Sequence, residues 1–133
     1  MSQLFAAVYE VTSAAAGRPS LRLNLIVNGD NDSVVGTALL ETYTGDISEI
    51  AVRGHCMEIE GEQPLKAIVL AGTAPTFGLL NDDPSAFQLL MVLPTAWKDG
   101  QACYKMSFGK LYPRCVEVRD GVARAVLPEY TSD

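Results

Sequence analysis

The stretch Leu21-Arg22-Leu23-Asn24-Leu25-Ile26-Val27-Asn28-Gly29 decides the fold class of this chain. Apolar residues occupy every second position from Leu21 to Val27, and the positions between them are mostly polar. Because successive side chains of a strand point to opposite faces, this alternation predicts a β-strand with one buried face. The Asn-Gly pair that follows is a strong hairpin signal, so we expect a tight turn into an antiparallel neighbour.

Turn residues recur about every ten residues along the rest of the chain, and Ala102–Phe108 repeats the same alternation. This spacing is typical of a β-sandwich or barrel, whereas parallel units would need helical patterns that are mostly missing. We therefore predict an all-β fold, an antiparallel eight- or nine-stranded barrel or sandwich. The nine candidate strands are Leu4–Val11, Leu21–Val27, Val34–Tyr43, Ile50–Ile59, Leu65–Gly72, Phe87–Leu93, Ala102–Phe108, Tyr112–Arg119 and Val122–Leu127.

One of these segments also has a helical interpretation. Asp83-Pro84 is a favourable helix start, and Pro94 supplies a stop. Within Phe87–Leu93, apolar residues recur at spacings of three and four as well as two. A short helix near 84–93 is therefore the alternative to a strand, and the clear strand that follows the next turn favours the strand.

Two runs, Leu65–Gly72 and Phe87–Leu93, are apolar at nearly all positions of both parities. A strand with one buried face should show polar residues at every second position. Both faces of these segments therefore need cover from the chain itself, a ligand or a partner. A lone barrel or sandwich covers one face, so we expect a homodimer to bury the other. The residues predicted for self-association are Ile68, Leu70, Leu90 and Val92.

Length and composition indicate one globular domain. The chain has 133 residues, of which 48% are hydrophobic and 20% are charged, and this length supports a single core. We expect a single all-β domain over 1–127 and a loose C-terminal tail over 128–133. The formal net charge of −6 argues against nucleic acid as the main partner, because a phosphate backbone would be repelled.

The sequence also indicates the cellular compartment in which we expect the protein. The amino terminus has no basic region of the kind that begins a secretory signal. No stretch approaches the roughly 20 apolar residues of a membrane span, so we expect no membrane partner. Three cysteines without motif spacing fit a reducing compartment, and we expect a cytoplasmic protein.

The motifs that would indicate catalysis or metal binding are incomplete. His55 and Cys56 are adjacent, so on a strand they face opposite sides and cannot form a nucleophile pair. Together with Cys103 and Cys115 they lack the close ligand pairs of a structural zinc site. Asn28–Asp32 begins like a calcium loop but lacks the downstream Gly and Glu, which favours a turn. We therefore predict no catalytic residue, no metal and no cofactor.

A ligand site is the alternative that the residues leave open. Arg53 and His55 share one face of a predicted strand with Ala51. If that face pointed into a barrel, an Arg and a His among apolar residues would form a small-ligand site, and if it pointed outward they would be surface residues. Tyr43 and Trp97, which lie nearest to turns, would rim the mouth of such a pocket or cover the end of the core. The predicted ligand-binding residues are Tyr43, Arg53, His55 and Trp97.

Two segments carry a family resemblance. Val35-Gly36-Thr37-Ala38-Leu39-Leu40-Glu41 and Ala96-Trp97-Lys98-Asp99-Gly100-Gln101-Ala102-Cys103-Tyr104 resemble segments of a small bacterial family of uncharacterised all-β proteins. The resemblance covers about a third of the chain, and its motifs are structural. It implies an all-β fold and, because the family has no assigned activity, it implies no mechanism.

These observations predict a non-enzymatic soluble binding or interaction module that self-associates through an apolar strand face. The alternative is a small-molecule carrier that holds a small apolar ligand in a barrel cavity. A second alternative is an enzyme of unrecognised type, for which a lone His and scattered carboxylates provide no constellation.

Overall fold

The computed structural model describes residues 4–13, 19–41, 45, 47–73, 86–94, 97–107 and 115–126. These residues form eight antiparallel strands closed into a barrel, in which each strand pairs with the next and the last returns to the first. The all-β antiparallel prediction is confirmed, and the architecture is a barrel. The strands are β1 Leu4–Thr12, β2 Ser20–Asn28, β3 Ser33–Glu41, β4 Ile47–Ile59, β5 Leu65–Thr73, β6 Ala86–Leu93, β7 Gly100–Ser107 and β8 Cys115–Ala125.

The segment with two interpretations is a strand. β6 pairs along its length with β5 and β7, so its backbone groups are satisfied between neighbours. Period-two burial places Phe87, Leu89, Met91 and Leu93 in the interior. A helix would break this barrel wall, and the helical spacing within 86–93 is a consequence of apolar residues on both faces. Residues 84 and 85 lie outside the described part of the chain.

The last two predicted strands form a single strand, β8, in the structure. The sequence predicts a turn at Asp120-Gly121, between Tyr112–Arg119 and Val122–Leu127, but β8 runs through this pair without a break. A β-bulge lies at that point, where two residues of β8 oppose Cys103 of β7. The glycine is needed for close packing, because a Cβ at Gly121 would lie 2.8 Å from the Ala102 carbonyl oxygen. The strand total is therefore eight among the described residues.

Side chains fill the barrel interior. Among the described residues, every buried hydrophobic residue except Ala67 belongs to one hydrophobic cluster, and no charged side chain is buried. Burial of each large apolar side chain contributes about 1.5–3 kcal/mol. An eight-stranded barrel is just wide enough for such filling. The largest fully buried side chains are Tyr9, Leu21, Leu23, Leu25, Leu40, Ile50, Ile68, Leu70, Phe87, Met91, Leu93 and Met106.

Glycines allow the wall to curve at β3, β4 and β5. A Cβ at Gly36, Gly54 or Gly72 would lie 2.0, 1.7 or 2.1 Å from a carbonyl oxygen of an adjacent strand. No side chain fits at that distance, so these positions need glycine for the strands to approach each other closely.

A short loop reinforces the seam between β1 and β8. The ladder between these strands covers only Tyr9–Thr12 against 122–125. The Tyr9 hydroxyl donates a hydrogen bond to the Lys98 carbonyl oxygen at 2.9 Å, and Asp99 Oδ1 accepts one from the Ala125 amide at 2.8 Å. Burial raises the pKa of Tyr9 above its ordinary range, and the nearby Asp99 carboxylate raises it further. The loop therefore ties the seam together where the ladder is shortest.

No described segment forms a helix that is long and apolar enough to cross a membrane.

Candidate functional site

Arg53 and His55 lie on the outside of the barrel. Burial alternates along the middle of β4, with Val52 and Cys56 buried while Arg53 and His55 are exposed. Parity forces this placement, because neighbouring side chains of a strand face opposite sides. The sequence did not determine whether the face that carries Arg53 and His55 is inside or outside the barrel. The structure places this face outside, and neither side chain points into the barrel.

The four residues predicted for self-association divide between the two faces. Ile68 and Leu70 of β5 are fully buried in the interior, whereas Leu90 and Val92 of β6 face outward. The outward neighbour of Leu90 on β5 is Val69, and the register places the two side by side. A surface that contains Leu90 and Val92 therefore includes the outer residues of β5, and Ile68 and Leu70 belong to the core.

Strand register assembles these outer side chains into one surface. His55, Val69, Leu90 and Cys103 follow one another across β4 to β7 in a single row. The adjoining row begins at Met57 and continues on β5 and β6. We call the apolar members the outer patch, which consists of Met57, Ile59, Leu65, Ala67, Val69, Leu90 and Val92.

The larger side chains of the outer patch are partly or largely open to solvent, whereas Ala67 is buried between them. Val69 is 46% exposed and Leu90 is 42% exposed, although both are large apolar side chains. With strands about 4.8 Å apart and a rise of about 3.4 Å per residue, each outward position occupies roughly 33 Å², so the seven positions of the outer patch cover roughly 230 Å². Monomeric proteins rarely expose more than a few hundred Å² of contiguous apolar surface, and such patches mark interaction sites.

Polar side chains surround the outer patch. Arg53 and His55 border it on β4, Gln88 on β6, and Gln101 and Lys105 on β7. These five residues are exposed or lie beside exposed residues of the same outer face. An apolar centre with a polar border is the organisation of protein–protein interfaces.

Small side chains next to the outer patch leave a groove in the surface. Ala71 of β5 lines three adjoining depressions of about 490, 670 and 700 Å³. Ala51 of β4 lines the largest of them, and Arg53 lines both the largest and the smallest. Alanine leaves the surface low between longer neighbours such as Val35 and Gln88. The predicted ligand residues Arg53 and His55 therefore stand beside an external groove.

Trp97 lies apart from these residues. It is half-buried in the loop before β7, and its ring meets the Phe5 ring edge-on with centroids 5.2 Å apart. The Lys66 Nζ lies 5.7 Å from the centroid of the indole. Trp97 also holds a positive φ of 64°, which the surrounding contacts must maintain. It covers one end of the core, and Tyr43, its predicted companion, lies outside the described residues.

The structure assembles no nucleophile or metal centre from the described side chains. Cys56 is buried, and burial raises the pKa of its thiol, an effect that Lys66 partly offsets. Cys56 and Cys103 are free thiols, and the side chain of Cys115 lies outside the described part. No three His, Cys, Asp or Glu side chains among the described residues converge to hold a metal.

The calcium-like segment is a hairpin turn. Asn28 Oδ1 accepts a hydrogen bond from the Asp30 amide at 2.9 Å, and Asn31 Oδ1 accepts one from the Ser33 amide at 3.1 Å. These are local side chain–backbone bonds of Asx turns, which stabilise a tight connection. The Asn-Gly signal therefore predicted the β2–β3 hairpin correctly.

The family comparison rests on most of the chain. Residues 2–110 match the family model for a domain of unknown function, DUF1842. The chain belongs to the DUF1842 family. This finding confirms the resemblance to an uncharacterised family, and both resembling segments fall within the matched range of the DUF1842 domain. No curated protein matches the chain.

Sequence reasoning missed Val69 and Ala71 in this DUF1842 barrel. The alternation of Leu65–Gly72 assigns both to one face, but nothing in the run says which face is inside. The nearest signal is Gly72, which shares its parity with Ile68 and Leu70 and approaches the neighbouring strand closely. A glycine on the inner face of a curved wall would have assigned Val69 and Ala71 to the outside.

Proposed function

We propose that this DUF1842 domain is a non-enzymatic interaction module that self-associates through the outer patch. One observation carries the proposal: seven apolar side chains adjoin on the outer face of a barrel whose interior is already filled, and four of them, Met57, Ile59, Val69 and Leu90, are exposed. The outer patch therefore adds little to the core of a single chain. Its exposure to water is unfavourable, and a second chain that covers it removes that cost.

We favour a second copy of the chain as the partner that covers the outer patch. The strand register allows the outer patches of two copies to pack against each other. Consider a two-fold axis that runs along the row from His55 to Cys103. It places the row that contains Met57 in one copy opposite the row that contains Arg53 in the other copy. Arg53 of one copy then lies over Met57 of the other, and Lys105 over Gln101. Cationic side chains thus avoid each other, and apolar side chains meet near the axis.

The expected interface is of moderate size. Specific interfaces bury about 800 Å² on each partner. The outer patch supplies roughly a quarter of this area, and the polar border and the neighbouring outer residues supply the remainder. An apolar centre of this extent with an uncharged core fits the composition of homodimer interfaces.

The carrier alternative has less support. Its orienting residues Arg53 and His55 are on the outer face, and the described interior is occupied by the protein's own apolar side chains. The catalytic alternative lacks a nucleophile, base and metal set among the described residues. Neither alternative explains the outer patch, whereas an interaction module does.

The test compares two glutamates placed on opposite sides of the barrel. Leu90 on β6 is 42% exposed and Ile26 on β2 is 45% exposed. These strands are four apart in an eight-stranded barrel and therefore face away from each other. We expect Leu90→Glu to give a folded monomer and Ile26→Glu to keep the two-chain mass in sedimentation equilibrium.

Circular dichroism and thermal unfolding establish that both variants are folded. Val69→Glu, next to Leu90 in the same row, should also give a monomer. Equal masses for Leu90→Glu and Ile26→Glu would contradict the assignment of the interface to the outer patch.

A further inference from the structure

Arg53 differs in its surroundings from Arg22 and Arg119, which form ion pairs. Arg22 donates to Glu10 at 3.3 Å, and Arg119 donates to Glu117 at 2.9 Å. Arg53 has no ion pair or hydrogen bond with any described residue. The chain carries 16 acidic against 10 basic residues, so an arginine without a described carboxylate beside it is conspicuous.

The strand register explains why Arg53 has no described partner. Its cross-strand neighbours are Val35 on β3 and Ala71 on β5, and its neighbours on the same outer face of β4 are Ala51 and His55. None of these four carries a negative charge. The guanidinium therefore stands at the edge of an apolar surface with its donors available to an external group.

The groove beside Arg53 has the dimensions of a small-ligand site. Its larger part measures about 700 Å³ and its extension toward His55 and Val69 about 490 Å³. Sites for small ligands usually lie between about 300 and 1,000 Å³. The floor is formed by the low side chains of Ala51 and Ala71, which accept an apolar group against the strands.

We propose that this groove binds a small amphipathic carboxylate. The flat guanidinium of Arg53 matches a carboxylate with two parallel hydrogen bonds. The imidazole of His55 lies on the same face and offers a further donor, while the alanine floor and Val35 contact the hydrocarbon part. One guanidinium beside an apolar floor suits a single negative charge with a tail better than it suits inorganic phosphate.

This site shares His55 and Val69 with the self-association surface, so the two proposals are distinguished by the residues that carry each of them and by their tests. Carboxylate binding depends on Arg53 and the alanine floor, whereas association depends on Leu90 and its apolar neighbours. In the proposed dimer Met57 of the second copy lies over Arg53, so the monomeric Leu90→Glu variant, in which the groove is open, should bind the carboxylate at least as tightly as the unmodified protein. Loss of association with retained binding, or the reverse, distinguishes failure of one proposal from failure of the other.

The experiment is a titration of ¹⁵N-labelled protein with octanoate, followed by amide chemical shifts. We expect saturable shifts concentrated at Val35, Ala51–Arg53 and Ala71–Gly72. Octylamine, which has a similar tail and the opposite charge, and inorganic phosphate, which has no tail, should not reproduce them. Arg53→Gln should weaken octanoate binding by at least about tenfold, because a charge-assisted hydrogen bond is lost.

Two further variants complete the design. Arg124→Gln removes an exposed arginine on β8, away from the groove, and should leave the affinity unchanged. Ala71→Leu should fill the groove floor and weaken binding while the guanidinium remains. The proposal is overturned if octanoate shifts do not saturate, if they centre on Leu90 and Val92, if octylamine gives the same shifts, or if Arg53→Gln binds as tightly as the unmodified protein.

Discussion

The inner and outer faces of β5 and β6 carry the same kinds of side chain and have opposite relations to water. Ile68 and Leu70 on the inner face are fully buried, while Val69 and Leu90 on the outer face remain nearly half exposed. The barrel needs only one of these faces to form its core. The apolar residues of the inner face therefore specify the fold, and we propose that those of the outer face serve contact with a second chain.

The sharpest test of this comparison removes one residue from each face of β5. Leu70→Ala should lower the free energy of unfolding by about 2–5 kcal/mol, because it leaves a cavity in a filled interior. Val69→Ala should change it by less than about 0.5 kcal/mol. Urea unfolding at low protein concentration measures both, since association would otherwise add to the apparent stability. Similar losses for the two variants would remove the distinction between the faces.

A second test concerns the curvature that separates the faces. Gly54→Ala should destabilise the protein by about 1–3 kcal/mol, because its Cβ would lie 1.7 Å from the Val69 carbonyl oxygen and the wall must shift. Gly61→Ala, in the following turn, is the matched control, since a Cβ there meets nothing within 4 Å. Thermal unfolding should separate the two variants clearly. An unperturbed Gly54→Ala would mean that curvature does not depend on this glycine.

The fold was predictable because period-two alternation is a local property of strands. Leu21–Val27 lies on β2 and residues 102–107 lie on β7 as expected, and Asn28-Gly29 marks the hairpin turn. The Asp120-Gly121 pair misled the prediction because a glycine that permits a bulge looks the same in sequence as a glycine that permits a turn. Only the packing of Gly121 against β7 distinguishes the two.

The surface was less predictable because it depends on register and on which face is inside. Arg53, His55 and Leu90 were all identified as candidates, but for two different functions. Their placement beside one another follows from the pairing of β4, β5 and β6. No single stretch of sequence determines this pairing. Ile68 was assigned to a contact because both faces of its strand are apolar.

A third test is directed at the seam, which closes the barrel and so maintains an inside and an outside. Tyr9→Phe should cost about 0.5–1.5 kcal/mol of unfolding free energy, the contribution of the lost hydrogen bond to the Lys98 carbonyl. Because burial raises the pKa of Tyr9, the folded state keeps this proton above pH 10, where the unfolded state releases it. Stability should therefore fall above pH 10, with a contribution from Tyr9 of up to about 1.4 kcal/mol per pH unit.

The Tyr9→Phe variant should lack that part of the alkaline loss. Urea unfolding between pH 9 and pH 11 compares it with the unmodified protein. Parallel pH dependences for the two proteins would show that the Tyr9 hydroxyl does not keep its proton in the folded state.

The mass of the unmodified protein in solution tests the central claim most directly. Static light scattering across micromolar to high micromolar concentrations should give the mass of two chains, twice the 14.3 kDa of one. This result is expected because the outer patch is apolar, exposed and unnecessary for the core of one chain. A mass of one chain that persists at high micromolar concentration would contradict self-association through the outer patch.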